Sequence, residues 1–352
     1  MMREVLINAA PGEVRLALLE DGRLAEYVNS RAGNVSRVGG IYLGRVTEVV
    51  KALKGVFVDL GAGRPGLLAG SDIPDGVRLI EGDMINVRVL RDETPDKGAK
   101  LTAHDAAYPM PPPDPVEIFL KDRAEDDWTI LVDDPVLAAK LRKSTGRTID
   151  IYAERQPLFE AHDVEAALDE ALEAEVQLPG GGSIIIEETA ALTAIDVNTG
   201  TRDAFTTNLE AAEAVADALR LRNIAGQAVI DFLPMKRHDQ RTKVLDALRA
   251  AAGEDFTEVH VLGLTKLGLC ELTRRRVGES LSARMGLSRL RAKSTETQAL
   301  ELMRRIDEQA RSAGTRKMSF AVAPDVRALL DGRYAQVVDT LVKRHALELT
   351  LT

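Results

Sequence analysis

Along the first thirty positions, apolar residues come in short runs broken by turn signals. "EVLINAAPGEVRLALLEDGRLAEYVNS" carries Pro11-Gly12 and Asp21-Gly22 between its apolar stretches, which predicts a β-meander. From Gly39 the rhythm continues in "GGIYLGRVTEVVKALKGVFVDLGAGRPGLLAG" and "GDMINVRVLRDETPDKGAKLTAH", with Gly-rich turns between the runs. Such spacing predicts a small closed barrel of about five strands. "PMPPPDP", Pro109 to Pro115, reads as a stiff extended linker.

Beyond the linker the period lengthens. "VEIFLKD" and "DDPVLAAKLRKST" predict helices, and "RTIDIYAE" a strand. "DVEAALDEALEAEVQLPGGGS" sets Val164, Leu168, Leu172 and Val176 at helical spacing and stops at Pro179 and three glycines. No Lys-Ser/Thr pair follows those glycines, so they make a turn rather than a phosphate-binding loop. "SIIIEETAALTAIDVN" predicts a hairpin of two buried strands. In "TNLEAAEAVADALRLRNIAG", Thr207 and Glu210 fit a capping box, Leu209, Ala212, Ala216 and Leu219 form a stripe, and Gly226 ends the helix. "QAVIDFL" and "EVHVLGLT" read as strands, and "KLGLCELTRRRVGESL" as a helix with a basic end. The tail from about Ser288 predicts helix, strand ("MSFAVAP"), helix and strand ("LELTLT").

Composition narrows the classes. The 352 residues allow two to four modules, 45% are apolar, and the net charge of −9 argues against a general nucleic-acid coat protein. A local basic groove remains compatible with that balance. The single cysteine, Cys270, cannot form an internal disulfide and reads as a small buried apolar residue. No cysteine or histidine spacing suggests zinc, since His104, His162, His238, His260 and His345 are scattered. No stretch approaches a membrane span and no signal-type apolar core opens the chain, so the expected location is the cytoplasm.

Two residues carry the chemistry. Asp196 sits among Ala194, Ile195 and Val197, and Asp231 among Val229, Ile230 and Phe232. Taken singly, each fits a strand end that caps a turn. Their strands are joined by one helix, and a right-handed crossover brings both carboxylates to the same sheet edge. Two such groups repel unless a proton or cation lies between them. A hard divalent cation, Mg²⁺ with Mn²⁺ as a possible substitute, needs only one or two carboxylates with water and phosphate. Asn198 projects to the same side as Asp196. Metal-assisted phosphodiester hydrolysis follows as the leading chemistry.

"LPGGGSIIIEETAALTAIDVNTG", "NLEAAEAVADALRLRNIAGQAVIDF" and "LGLTKLGLCELTRRRVGESL" closely resemble the catalytic core of the ribonuclease E/G family. The opening segment and "GGIYLGRVTEVVKALKGVFVDLGAGRPGLL", similar to that family's S1 RNA-binding domain, extend the resemblance over nearly the whole chain. It implies an endoribonuclease acting on single-stranded RNA. Asp196 and Asp231 match the metal-binding aspartates, and Asn198 the asparagine that positions the scissile phosphate. The implied fold is α/β with an inserted β-barrel. An RNase H-like subdomain (1–36 and 116–177) is interrupted by an S1, or OB-fold, domain (37–108) and the linker (109–115). A DNase I-like catalytic subdomain (178–285) and a small C-terminal α/β domain (286–352) follow.

The S1-like stretch supplies Phe57, matching an aromatic that contacts RNA, and Lys97 and Lys100, matching the region of an RNA-contacting lysine. For Phe57 alone a core role fits as well; Arg45, Lys54 and Arg64 nearby favour RNA. Leu67 stands where a partner aromatic is expected. Within "TRRR", Thr273 to Arg276, a solvated helix end is one reading; the resemblance makes Arg274 a phosphate contact. Three departures stand out: about a hundred residues holding the 5′-monophosphate sensor are missing, the zinc-link cysteines are absent, and the loop after Asn198 is short. The first implies cleavage without 5′-end sensing, and the second an oligomer, if any, held by other contacts. A non-catalytic S1-type RNA-binding protein or RNA chaperone is the alternative, and a DNA endonuclease a third reading.

Overall fold

The computed structural model describes residues 2–32, 36–51, 54–93, 97–125, 127–285, 293–313 and 316–352. They form two units, one of residues 30–122 and one of residues 1–29 with 123–352.

The chain opens with β1 (Arg3–Ala10), β2 (Glu13–Glu20) and β3 (Arg23–Arg31) as neighbours in one sheet. Asp21 (φ 47°) and Gly22 (φ 79°) are both left-handed, the turn geometry that matches strand twist. The meander expected from the sequence is therefore present.

The smaller unit contains β4 (Ile41–Val50), β5 (Gly55–Asp59), β6 (Gly66–Leu68), β7 (Met84–Arg91), β8 (Lys100–Thr102) and α1 (Pro115–Asp122). Its strands close into an OB-like barrel in the order β4-β5-β6-β8-β7. Alternation supplies the core: Val46, Val56, Val58, Leu68, Val87, Val89 and Leu101 point inward and are buried.

The larger unit resumes with β9 (Thr129–Val132), α2 (Pro135–Thr145), β10 (Asp150–Ile151), α3 (Leu158–Ala161) and α4 (Val164–Ala171). β9 lies parallel to β1, giving a five-stranded sheet ordered β10-β9-β1-β2-β3. Leu6, Ala17 and Leu19 pack there against Leu158, Phe159, Val164 and Leu168. Contrary to the helical reading, α4 ends at Ala171, and Val176 lies on β11 (Glu175–Gln177). The tertiary pairing of Val176 with Ile184 of β12 (Ser183–Glu188) overrides local periodicity.

The remaining elements of the second sheet are β13 (Thr193–Asn198), α5 (Ala204–Leu221), β14 (Gly226–Asp231), α6 (His238–Ala252), β15 (Val259–Leu264) and β16 (Cys270–Arg274). The strand order is β11-β12-β13-β14-β16-β15. Residues 270–274 are a strand, not the expected helix. Cys270, Leu272 and Arg274 alternate with outward-facing Glu271 and Thr273, a period of two that a short window does not separate from a helical one. Helix α5 is likewise capped by Asp203 rather than by Thr207, and ends at Leu221 rather than Gly226. The Asp203 carboxylate accepts the Phe205 and Thr206 amides and the Thr206 hydroxyl. Buried Ala211, Ala212, Val215 and Leu219 of α5, with Val244 and Leu248 of α6, cover one sheet face.

After α7 (Leu281–Arg284) come α8 (Thr295–Ala313), β17 (Lys317–Phe320), α9 (Pro324–Asp331), α10 (Ala335–His345) and β18 (Glu348–Leu351). The expected single helix between the last two strands is two, divided at Gly332. Residues 286–292, where this module was expected to begin and which overlap the zinc-link position, lie outside the described residues. No described helix is long and apolar enough to cross a membrane.

Candidate active site

β13 and β14 are parallel, and their register sets Asp196 directly beside Asp231. Neighbouring strands lie roughly 4.8 Å apart, so the two carboxylates share one short stretch of sheet edge. The face they occupy is the one the helices leave open: Asp196, Asn198 and Asp231 are exposed, while Ile195, Val197 and Ile230 point into the core. Solvent, not burial, surrounds the pair.

Among the described residues neither carboxylate forms an ion pair. Asp196 accepts one hydrogen bond, from the Asn198 side-chain amide (Nδ2 to Oδ2, 3.2 Å). A shallow depression of about 240 Å³ is lined by both aspartates together with Ile185, Glu187, Ala194, Val229 and Leu269. Glu187 had not been singled out in the sequence; its place on β12, two residues from Ile185, which pairs with Asp196, brings it to this face. Two adjacent, uncompensated carboxylates fit a hard divalent cation whose remaining ligands are water and phosphate. A cage of three or more acidic, histidine or cysteine ligands is not found among the described residues.

The loop after Asn198 is short and anchored. Thr201 bonds through its amide and hydroxyl to the Gly180 carbonyl, and Glu210 of α5 accepts the Gly180 amide and pairs with Arg202. Gly200 packs so closely on the 179–182 turn that a Cβ there would lie 2.2 Å from the Gly181 carbonyl carbon. Glu210 therefore joins loop to loop instead of closing a capping box.

On the far side of the pair, the chain leaving β14 is held by Asn208. This residue of α5 is 0% exposed. Its Nδ2 donates to the Leu233 carbonyl at 2.9 Å and its Oδ1 accepts the Leu233 amide at 2.9 Å. The sequence did contain the signal: an asparagine one turn before Ala211 and Ala212, on the apolar stripe, needs polar partners.

Arg274, which the resemblance made a phosphate contact, is turned inward and bonded within the protein. It is 5% exposed, and its guanidinium is engaged by Asp255 (Nε to Oδ2, 2.7 Å), Asn223 Oδ1 (2.8 Å) and the Ile224 carbonyl. Its inward position on β16 fixes this role, while Arg275 and Arg276 are the exposed arginines of the run. Cys270, expected to be buried, is so, but on a strand; burial pushes its thiol up to about 11.

In the barrel unit, the register places Phe57 opposite Leu67 and Leu67 beside Lys100. Phe57 is half-buried and Lys100 exposed, its ammonium 4.0 Å from Asp72. Lys97 is exposed in the connection before β8. The row presents a ring, an aliphatic side chain and a cation on one surface.

Two sequence families match this architecture. The model of the S1 RNA binding domain covers residues 36–102, and that of the ribonuclease E/G family residues 114–277. The chain is 28% identical to ribonuclease G of Haemophilus influenzae across 86% of this chain and 87% of that protein. It is 27% identical to ribonuclease G of Escherichia coli K12 (94% and 93%) and 26% to ribonuclease E of H. influenzae (99% and 50%). The alignment to the E. coli protein runs over 454 positions and takes in 94% of the 352 residues of this chain, about 331, so about 120 positions have no counterpart here. Both matches fall in order, so the chain carries a ribonuclease E/G family segment behind an S1 RNA-binding segment and is similar to ribonucleases G and E along most of its length.

Proposed function

We propose that the chain is an endoribonuclease that hydrolyses phosphodiester bonds in single-stranded RNA, in RNA processing or decay. Asp196 and Asp231 hold Mg²⁺, for which Mn²⁺ can substitute. The observation that carries this reading is their direct register pairing on an open sheet face with no cation among the described residues to offset them. A divalent ion at this place supplies charge neutralisation at the phosphoryl oxygen and lowers the pKa of water. Asn198, whose amide is the neutral donor beside Asp196, orients the phosphate; the anchored 199–203 loop keeps it there. Phe57, Lys97 and Lys100 hold the strand by stacking and charge.

The five-stranded sheet built from 1–31 and 129–151 supports an RNase H-like subdomain, and the six-stranded sheet with α5 and α6 a DNase I-like one. The roughly 120 alignment positions without a counterpart support cleavage indifferent to the 5′ end. Without cysteines beyond Cys270, any oligomer forms by contacts other than a thiolate–zinc link, and the expected location is the cytoplasm.

The test is cleavage of an end-labelled, AU-rich single-stranded RNA carrying either a 5′-monophosphate or a 5′-hydroxyl, in Mg²⁺, by wild type, Asp196→Asn and Asp231→Asn. Equal cleavage of both ends by wild type and loss in both variants is the expected result. Binding without cleavage by wild type would move the protein to the RNA-binding class. Preference for a matched DNA oligonucleotide would move it to the DNA nucleases.

A further inference from the structure

We infer that Asn208 is a positioning residue that sets the spacing of the Asp196–Asp231 pair by clamping the chain immediately after Asp231. This rests on the metal site proposed above.

The β14 ladder ends at Asp231, so Phe232 and Leu233 have no strand partner to hold them. Their only regular anchor would be packing, and Phe232 does pack into the core. Packing alone is non-directional, whereas the spacing of two carboxylates depends on fractions of an ångström. Asn208 provides direction. Its carboxamide copies a backbone peptide, donating to the Leu233 carbonyl and accepting from its amide, both at 2.9 Å. With Asn208 itself fully buried and Leu233 partly so, such paired bonds gain strength.

The same helix holds the other carboxylate's surroundings. α5 starts six residues after Asn198, and Glu210, two residues beyond Asn208, ties the Gly180 turn against the loop that follows Asn198. One rigid element thus fixes the chain downstream of both aspartates. Losing the Asn208 bonds frees only the Asp231 side, so the pair's spacing loosens while the barrel surface, with Phe57 and Lys100, is untouched.

Linkage makes this testable, because a clamp that favours ion binding must itself be strengthened by the ion. The experiment is Mn²⁺ titration without RNA, read by electron paramagnetic resonance, on wild type, Asn208→Ala and Asn208→Asp. The aspartate variant keeps an acceptor for the Leu233 amide and removes the donor. Alongside it run the Mg²⁺ dependence of cleavage, RNA binding in EDTA, and amide exchange of Leu233 in wild type with and without Mn²⁺. We expect Mn²⁺ affinity to fall about tenfold in Asn208→Ala and less in Asn208→Asp, with a matching rise in the Mg²⁺ needed for half-maximal cleavage. RNA binding in EDTA stays within twofold, and Leu233 exchange in wild type slows on adding Mn²⁺. A folded variant with wild-type Mn²⁺ affinity, or Leu233 exchange indifferent to Mn²⁺ in a wild type that binds it, overturns the inference. Wild type that neither binds Mn²⁺ nor cleaves RNA removes the metal site itself, which is a different failure.

Discussion

The barrel's Phe57–Leu67–Lys100 row and the open face of the six-stranded sheet solve opposite problems on similar backbone. Each is a row of residues in register across adjacent strands, one side chain per strand. The barrel row offers a ring, an aliphatic surface and a positive charge, so a polyanion with exposed bases can bind it directly. The sheet row offers Asp196 and Asp231 with Glu187 nearby, so a phosphate meets repulsion there until a cation intervenes. Affinity and chemistry are therefore separable, and each surface should respond to its own substitutions.

The strongest separation comes from the aspartates. Asp196→Asn or Asp231→Asn should lower the cleavage rate by about 10²–10³ or more, as when a preorganised electrostatic group is removed. RNA affinity measured in EDTA should hold within twofold. A comparable drop in that affinity would merge the two surfaces into one.

The comparison shows what the sequence discloses. The aspartate pair was legible because a β-α-β unit with an acid near each strand's C-terminal end constrains topology through short connections, as did the barrel through its regular turns. The role of Arg274 was not, because inward or outward orientation on β16 depends on pairing with β14 and β15 rather than on the run of arginines. The Asn208 clamp joins residues 25 positions apart: the apolar stripe announces that Asn208 needs polar partners, but nothing local names Leu233 as the one that supplies them. Thr207 and Glu210 met the spacing of a capping box, yet Asp203 lies closer to the helix start and took the amides.

Arg274→Met sharpens the contrast from the side of stability. Removing one partner of a buried, hydrogen-bonded pair leaves Asp255 uncompensated, and typical cost is about 3–5 kcal/mol. Urea unfolding should show that loss, with the salt dependence of RNA binding by the folded fraction unchanged. A changed salt slope without lost stability would return Arg274 to the phosphate-contacting set.

Phe57→Ala should weaken RNA binding by about 1–3 kcal/mol, the range for one stacked base, with the Mg²⁺ requirement of cleavage unchanged. Lys100→Ala should change less: the slope of log affinity against log salt should fall by about 0.7, one phosphate's worth on a single strand. Equilibrium binding at several salt concentrations reads both.

The smallest effect concerns α5. Hydrogen bonds from the Thr206 hydroxyl and amide hold the Asp203 carboxyl below its ordinary value of 3.8. A carboxyl depressed in the folded state stabilises it above the unfolded value, and that contribution is lost as pH falls through the folded one. Circular dichroism below about pH 4 should therefore show an acid-dependent loss of helix stability that Asp203→Asn reduces.

Gly200 has no functional group, touches no substrate in the reading above, and sits where two backbone turns meet without side chains between them. Any other residue there would drive the Asn198 loop off the 179–182 turn. In a saturation screen scored only by survival of activity, this glycine would rank with the carboxylates, and chemical reasoning about the hits would misplace it. Intolerance to change around this centre marks the fit between two loops as much as the chemistry they frame.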